Sequence, residues 1–309
     1  MEKLIALVGP TAVGKTAVGM ALAERLNGEL VSADAVAVYK RLDIGSAKPT
    51  QDEQARVRFH LLDVAEPEGD FTMTDFERLA GKAIADIRSR GKLPILLGGT
   101  GLYVRAVTAQ LSIPAVPPQP EFRAARWAEV EEHGAPWLHE KLAVIDPPSA
   151  AKIQPNDGKR IIRALEVFEV SGQPMSAFHT PEGVHGVPKP GVQMIGLDRE
   201  RETLYEHIDR RVDQMVAEGF VDEVRQLLDS GVPRDAKSLI SLGYRHLVQF
   251  HCDGVTLEDA IAMIKRDTRR YAKRQLSWFR NDPAVNWTNI KESDSAEDVA
   301  EHLEIGISV

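Results

Sequence analysis

The chain has 309 residues, 38 of them basic and 46 acidic, for a net charge of −8. This length predicts two domains or one core carrying an insertion, and a hydrophobic content of 43% excludes a disordered polymer. No apolar run reaches the roughly 18–20 residues that cross a bilayer, the run before Gly9 is too short for a secretory leader, and a lone Cys252 excludes a disulfide framework or a multi-cysteine zinc site.

A cytoplasmic, monomeric protein without a membrane partner is therefore expected. In chain order, Leu4–Val8 is an apolar run that ends at Gly9-Pro10. Lys15–Asn27 reads as a helix, with Val18, Leu22, Ala23 and Leu26 on one face and Asn27-Gly28 as its stop. Leu30-Val31 leads into Ala33-Asp34, and Phe59–Val64 is a further buried-strand candidate. Phe76–Arg90 reads as a helix closed by Gly91, and Leu93–Leu97 as a strand ended by Gly98-Gly99. Strands and helices alternating at this spacing predict a parallel sheet covered on both faces. Pro114, Pro117, Pro118 and Pro120 then break the pattern, and Glu121 to Ser171 reads as helical. A second soft stretch carries Pro174, Pro181, Pro188 and Pro190, after which Val192–Leu197 returns to a strand and Arg199–Arg280 to helix. The expected organisation is an α/β core, 1–112 and 191–309, with a helical insertion at 113–190 and a helical C-terminal region. No informative motif follows Asn289.

Gly9-Pro10-Thr11-Ala12-Val13-Gly14-Lys15-Thr16 fits G-x-x-x-x-G-K-[ST] between a strand and a helix. The glycines let backbone N–H groups converge on an anion, and the helix N-terminus adds positive potential. Lys15 is expected to reach the phosphates and Thr16 to offer a hydroxyl to Mg²⁺. The core is thus expected to be P-loop NTPase-like. The motif leaves the ligand open: a nucleotide and an isoprenyl diphosphate both present a pyrophosphate.

Further segments are more specific. They are Val31-Ser32-Ala33-Asp34, Val38-Tyr39-Lys40, Leu42-Asp43-Ile44-Gly45-Ser46-Ala47-Lys48-Pro49 and Gly98-Gly99-Thr100-Gly101-Leu102-Tyr103. Pro155-Asn156-Asp157 with Arg160-Ile161 and Arg163-Ala164-Leu165-Glu166-Val167 continues the series. Ser241-Leu242-Gly243-Tyr244-Arg245 and Lys273-Arg274-Gln275-Leu276-Ser277-Trp278-Phe279-Arg280 complete it. This ordered set, from Gly9 to Arg280, resembles the tRNA dimethylallyltransferase (tRNA isopentenyltransferase) family of P-loop proteins, in its bacterial form without a C-terminal zinc finger.

The resemblance implies transfer of a dimethylallyl group from dimethylallyl diphosphate to the N6 amine of the adenosine 3′ of the anticodon in tRNA. Gly9 to Thr16 would then hold the diphosphate, helped by Arg211, with Mg²⁺ as cofactor on Thr16. Lys15 and Thr100 would act in catalysis beside Asp34. A delocalised N6 amine needs a proton acceptor, and Asp34 is assigned as that general base; ordering Mg²⁺ is its other possible role. Asp63 is the rival metal carboxylate, or else a loop cap. Chemistry on the base requires extruding it from the anticodon stem-loop. The grip is expected from Asp34, Ala35, Val36, Ala37, Thr100 and Arg123, from Lys159, Arg160, Ile161, Ile162 and Arg163, and from Gly243, Tyr244, Arg245, Lys273, Arg274, Gln275, Trp278 and Arg280. The run Lys265–Arg280 supports this, with seven basic residues against one acid, Asp267, and Tyr271, Trp278 and Phe279 interleaved. Lys159, Arg160 and Arg163 are expected to clasp the loop from the other side. The chain departs from the family pattern at Ala35, Ala37, Ser46, Lys159, His207 and Ile240, which bears on RNA preference. A small-molecule P-loop kinase, a transferase acting on free adenine nucleotides and a non-catalytic RNA-binding module are the competing readings. The first two leave the basic stretch without a role. The third predicts decay at Lys15, Thr16 and Asp34, which are intact.

Overall fold

A computed structural model describes residues 3–110, 114, 116–178 and 186–307. The chain divides into two units, Met1–Ala109 with Pro188–Val309, and Gln110–Val187. The expected boundary at 112/113 and the turn residue Pro181 lie outside the described residues.

The first unit is built on a parallel sheet. Its strands are β1 (Leu4–Val8), β2 (Gly28–Ala33), β3 (Phe59–His60), β4 (Leu93–Gly98), β7 (Val192–Arg199) and β8 (Val285–Ile290), in the spatial order β3-β2-β4-β1-β7-β8. Two-residue strands β5 (Ala109–Gln110) and β6 (Val187–Pro188) pair separately from that sheet. In β1 every residue is buried because the sheet is covered on both faces. Leu4, Ala6 and Val8 enter one core with Val31 and Leu96, while Ile5 and Leu7 enter the other with Leu30 and Ile95. That alternation follows from the two-residue period of a strand.

Helices α1 (Lys15–Arg25), α2 (Gln51–Arg56), α3 (Met73–Ser89) and α4 (Gly101–Thr108) follow the first strands. The expected strand at Phe59–Val64 stops after His60: Leu61 and Asp63 adopt φ of 64° and 56°, and the chain turns away from the sheet. The expected helix at Arg199–Arg280 is four: α9 (Arg201–Ala217), α10 (Phe220–Asp229), α11 (Tyr244–Cys252) and α12 (Leu257–Arg280). Gly219, Gly231 and Gly243 lie in the breaks between them, all with positive φ. Elements unread in the sequence include the short helices α2 and α4, edge strand β8 and helix α13 (Ala296–Gly306). Helix α13 opens with a capping box, Ser295 with Asp298, and packs Val299, Ala300 and Leu303 into the core that α1 shares.

The second unit contains α5 (Pro120–His133), α6 (Ala135–Ile145), α7 (Pro147–Ala150) and α8 (Gly158–Ser171). Leu138, Leu142, Ile161, Ile162 and Leu165 form its core. Glu166 is fully buried there and holds three groups together: the guanidinium of Arg123 at 2.8 Å, that of Arg163 at 2.6 Å and the Gln119 N–H at 2.7 Å. Its burial opposes ionisation, but these donors win and hold its carboxyl well below the usual carboxylate range. Among the described residues no helix is long and apolar enough to cross a membrane.

Candidate active site

The carboxyl ends of β1, β2 and β4 deliver Gly9, Asp34 and Gly98-Gly99 to one edge of the sheet, the edge where open α/β sheets hold ligands. The loop after β1 needs unusual backbone: Gly9 has φ of 148°, Ala12 of 64° and Gly14 of 107°. A Cβ on Gly9 would stand 2.5 Å from the Leu197 carbonyl oxygen, so only glycine fits between β1 and β7. The loop then feeds directly into α1, whose first N–H groups have no side-chain cap. Val13 is buried beneath the loop, whereas Thr11, Ala12, Gly14, Lys15 and Thr16 line a cavity of about 910 Å³. That cavity also takes in Asp34, Lys48, Asp63, His207, Arg210 and Arg211.

Lys15 Nζ curls back to donate to the carbonyls of Gly9 at 3.0 Å and Pro10 at 2.6 Å. Burial, and then the Arg211 cation, pull its pKa down to about 7, with Asp34 acting in the opposite sense. Arg211, on α9, is also lowered, first by burial, with Asp34 and Glu53 countering. Two cations held this close, with one carboxylate beside them, make a site for a multiply charged anion.

Asp34 Oδ1 accepts the N–H groups of Val36 at 2.7 Å and Ala37 at 3.0 Å. That fixes the carboxylate plane and leaves Oδ2, which has no hydrogen bond among the described residues. Thr100 is the N-cap residue of α4 but does not cap it; its Oγ1 instead accepts the Ala35 N–H at 3.2 Å. Asp34 and Arg211 also line a second cavity of about 220 Å³, together with Ala35, Val36, Thr100, Gly243 and Tyr271. Ala37 faces the larger cavity.

The loop Asp43–Pro49 walls the larger cavity and is held by α10. Glu223 accepts the N–H groups of Asp43 at 2.8 Å, Ile44 at 2.7 Å and Gly45 at 3.1 Å, and the Tyr244 hydroxyl at 2.7 Å. Gly45 is obligatory, since a Cβ would lie 2.0 Å from the Phe220 ring. Lys48 Nζ donates to the Tyr39 carbonyl at 2.6 Å and to the carboxylates of Asp43 at 2.6 Å and Asp63 at 2.7 Å. Asp63 thus serves as the partner of Lys48. Among the described residues no group of three or more His, Cys, Asp or Glu is placed to hold a metal.

Several residues expected to grip RNA have their side chains engaged within the protein. Ile161 and Ile162 are core residues of the second unit, and Tyr244 is fully buried on Glu223. Gln275 is 6% exposed and bridges Thr11 N–H to the Gly99 carbonyl. Arg123 and Arg163 are engaged by Glu166. Trp278 packs its indole over Gly101, where a Cβ would come within 2.2 Å. The basic run is also partly neutralised. Lys265 pairs with Asp213 at 2.6 Å and Arg269 with Asp209 at 2.5 Å. Arg280 pairs with Asp198 at 2.5 Å, and Arg245, Arg266 and Arg270 surround Asp267. Lys273 and Arg274 are exposed on α12 without an ion pair among the described residues, as is Lys159 on α8; Arg160, beside it, faces Asp157 at 3.5 Å. Tyr271, read from the sequence only as an interleaved aromatic, lines both cavities. Its spacing of four from Gln275, one helical turn, was the available signal.

Residues 37–282 match the family model described as IPP transferase. The chain is 46% identical over 303 residues to a tRNA dimethylallyltransferase of Halalkalibacterium halodurans, covering 97% of this chain and 95% of that one. It is 43% identical over 303 residues to one of Thermomicrobium roseum, covering 98% and 91%. The crystal structure of full-length tRNA isopentenylpyrophosphate transferase from Bacillus halodurans superposes with a TM-score of 0.71 at 43% identity, covering 98% of this chain and 96% of that one. A eukaryotic dimethylallyltransferase captured acting on tRNA gives a TM-score of 0.80 at 26% identity, covering 100% and 79%. On this combination of a full-length match and a phosphate loop opening into a cation-lined cavity, the chain belongs to the IPP transferase family.

Proposed function

We propose that the protein is a tRNA dimethylallyltransferase, moving a dimethylallyl group from dimethylallyl diphosphate to the N6 amine of the adenosine 3′ of the anticodon. The observation that carries this reading is the gathering of Lys15, Thr16, Arg211 and Asp34 around one cavity that adjoins a smaller one lined by Thr100. The loop N–H groups, Lys15 and Arg211 bind the diphosphate and stabilise the charge that builds on its bridging oxygen as the C–O bond breaks. The N6 lone pair forms the new C–N bond, and the N6 proton passes to Asp34 Oδ2. Diphosphate leaves with the bonding pair.

Mg²⁺ fits the residues present in one way. With no carboxylate cluster available among the described residues, the Thr16 hydroxyl at the first turn of α1 would hold it jointly with diphosphate oxygens, an oxygen-rich set that Mg²⁺ accepts. Bound there, it would supply further neutralisation of the leaving group. On the RNA side, the exposed cations Lys273 and Arg274, and Lys159 and Arg160 in the insertion, are the groups available to phosphates.

Release of diphosphate tests the reading. It should require tRNA and dimethylallyl diphosphate together. Phosphoryl transfer from ATP to an acceptor metabolite with release of ADP, and no diphosphate release from the prenyl donor, would replace this reading with a kinase.

A further inference from the structure

The phosphate loop has positive φ at Gly9, Ala12 and Gly14, and backbone of this kind keeps its shape only where the surroundings hold it. One such hold comes from α12. Gln275, 6% exposed, lies between the loop and the end of β4: its Oε1 accepts the Thr11 N–H at 2.8 Å, and its Nε2 donates to the Gly99 carbonyl at 3.0 Å. A primary amide accepts at its oxygen and donates at its nitrogen, so a single orientation satisfies both partners. Gly99 leaves room for it, since a Cβ there would stand 2.1 Å from Nε2. Glutamate at 275 would set a second oxygen against the Gly99 carbonyl, and an apolar side chain would leave both bonds unmade.

The Thr11 N–H is thereby engaged by the protein itself, and the loop is tied to the strand end that leads into Thr100. Lys273 and Arg274, just before Gln275 in the chain, are exposed, whereas Gln275 is buried at the wall of the larger cavity. One short stretch of α12 therefore offers its cations to solvent and its amide to the phosphate loop. We propose that Gln275 is a positioning residue for the prenyl donor: it holds the phosphate loop in the shape that receives the diphosphate, and its side chain serves the donor rather than RNA. This rests on the reading of the larger cavity as the diphosphate site.

The full chain with inorganic diphosphate and Mg²⁺, in the absence of RNA, provides the test. Gln275→Met keeps length and bulk and removes both hydrogen bonds. Diphosphate affinity should fall roughly 10-fold, because the loop must then be ordered at the moment of binding. KM for dimethylallyl diphosphate should rise by about the same factor, with KM for tRNA within about 2-fold of wild type. Gly99→Ala displaces the same amide from the other side and should reproduce the loss. In a Gln275→Ala background, where that space is open, it should add little; this pair serves if the methionine variant folds poorly. Unchanged diphosphate affinity in Gln275→Met, losses that multiply between Gly99→Ala and Gln275→Ala, or weakened tRNA binding with the donor KM unmoved would each overturn the proposal. So would a lowered unfolding midpoint with both KM values in place, the mark of a merely structural residue. Wild-type protein that binds no diphosphate would instead remove the functional reading beneath it.

Discussion

At Lys15 burial and a neighbouring guanidinium compete with one carboxylate, and the first two win. With its pKa down to about 7 in the folded protein and near 10.5 when unfolded, the lysine binds fewer protons folded than unfolded between those values. Folding stability from this group therefore rises with pH across that window. Diphosphate reverses the balance by favouring the ammonium, so binding should take up a proton above about pH 7 and weaken as pH rises. Calorimetry at pH 8 in buffers of different ionisation heat should show that uptake; identical heats in all buffers would contradict it. Lys15→Ala should lower kcat on the order of 10²-fold and abolish the buffer dependence. Asp34→Asn retains the Oδ1 acceptor for Val36 and Ala37 but cannot take the N6 proton. Turnover should fall by about 10²–10⁴-fold with tRNA affinity nearly intact. Unchanged turnover in a single-turnover assay would remove the base assignment.

Among elements, the loop Asp43–Pro49 depends on a residue of α10. Glu223 satisfies three consecutive backbone N–H groups and the Tyr244 hydroxyl, so Glu223→Gln replaces an acceptor with a donor and leaves part of that set unpaired. The expected cost is about 2 kcal/mol in urea unfolding, with a raised KM for the prenyl donor because this loop walls the cavity. An unshifted midpoint would show that the loop holds itself. Strand β1, helix α1 and strand β4 were legible in the sequence because an apolar run ending in glycine, or an apolar face with a glycine stop, reports local geometry. Glu223 was not, since its backbone partners lie 178 to 180 residues away and an acidic residue on a helix reads as solvated surface. The burial of Gln275 was not legible either: a polar residue within a basic run carries no local sign of it, and it follows from the approach of Thr11 and Gly99. Edge strand β8 and helix α13 were passed over although Ser295-x-x-Asp298 spelled a capping box.

Across the whole molecule, the charge run on α12 is smaller than its composition suggests. Lys265, Arg269 and Arg280 are paired with acids of the same unit, while Lys273 and Arg274 are not paired among the described residues. Replacing Lys273 and Arg274 with Ala should flatten the plot of log tRNA affinity against log salt by about 0.7–0.9 for each phosphate no longer neutralised. Replacing Lys265 should leave the slope nearly unchanged. Equal slopes for both changes would place the RNA elsewhere. The motif marked the phosphate loop and the family resemblance singled out Asp34, Thr100 and Arg211; the fold brings these residues to adjoining cavities from segments separated by up to about two hundred residues. The central claim is that the cation-lined cavity holds a prenyl diphosphate and that its alkyl group goes to RNA. Mass analysis of tRNA nucleosides after incubation with dimethylallyl diphosphate and Mg²⁺, alongside an ATP control, tests it most directly. The account predicts one adenosine carrying the mass of a dimethylallyl group, at the position 3′ of the anticodon and only with the prenyl donor. Unmodified nucleosides with that donor, or phosphoryl transfer in the ATP control, would contradict it.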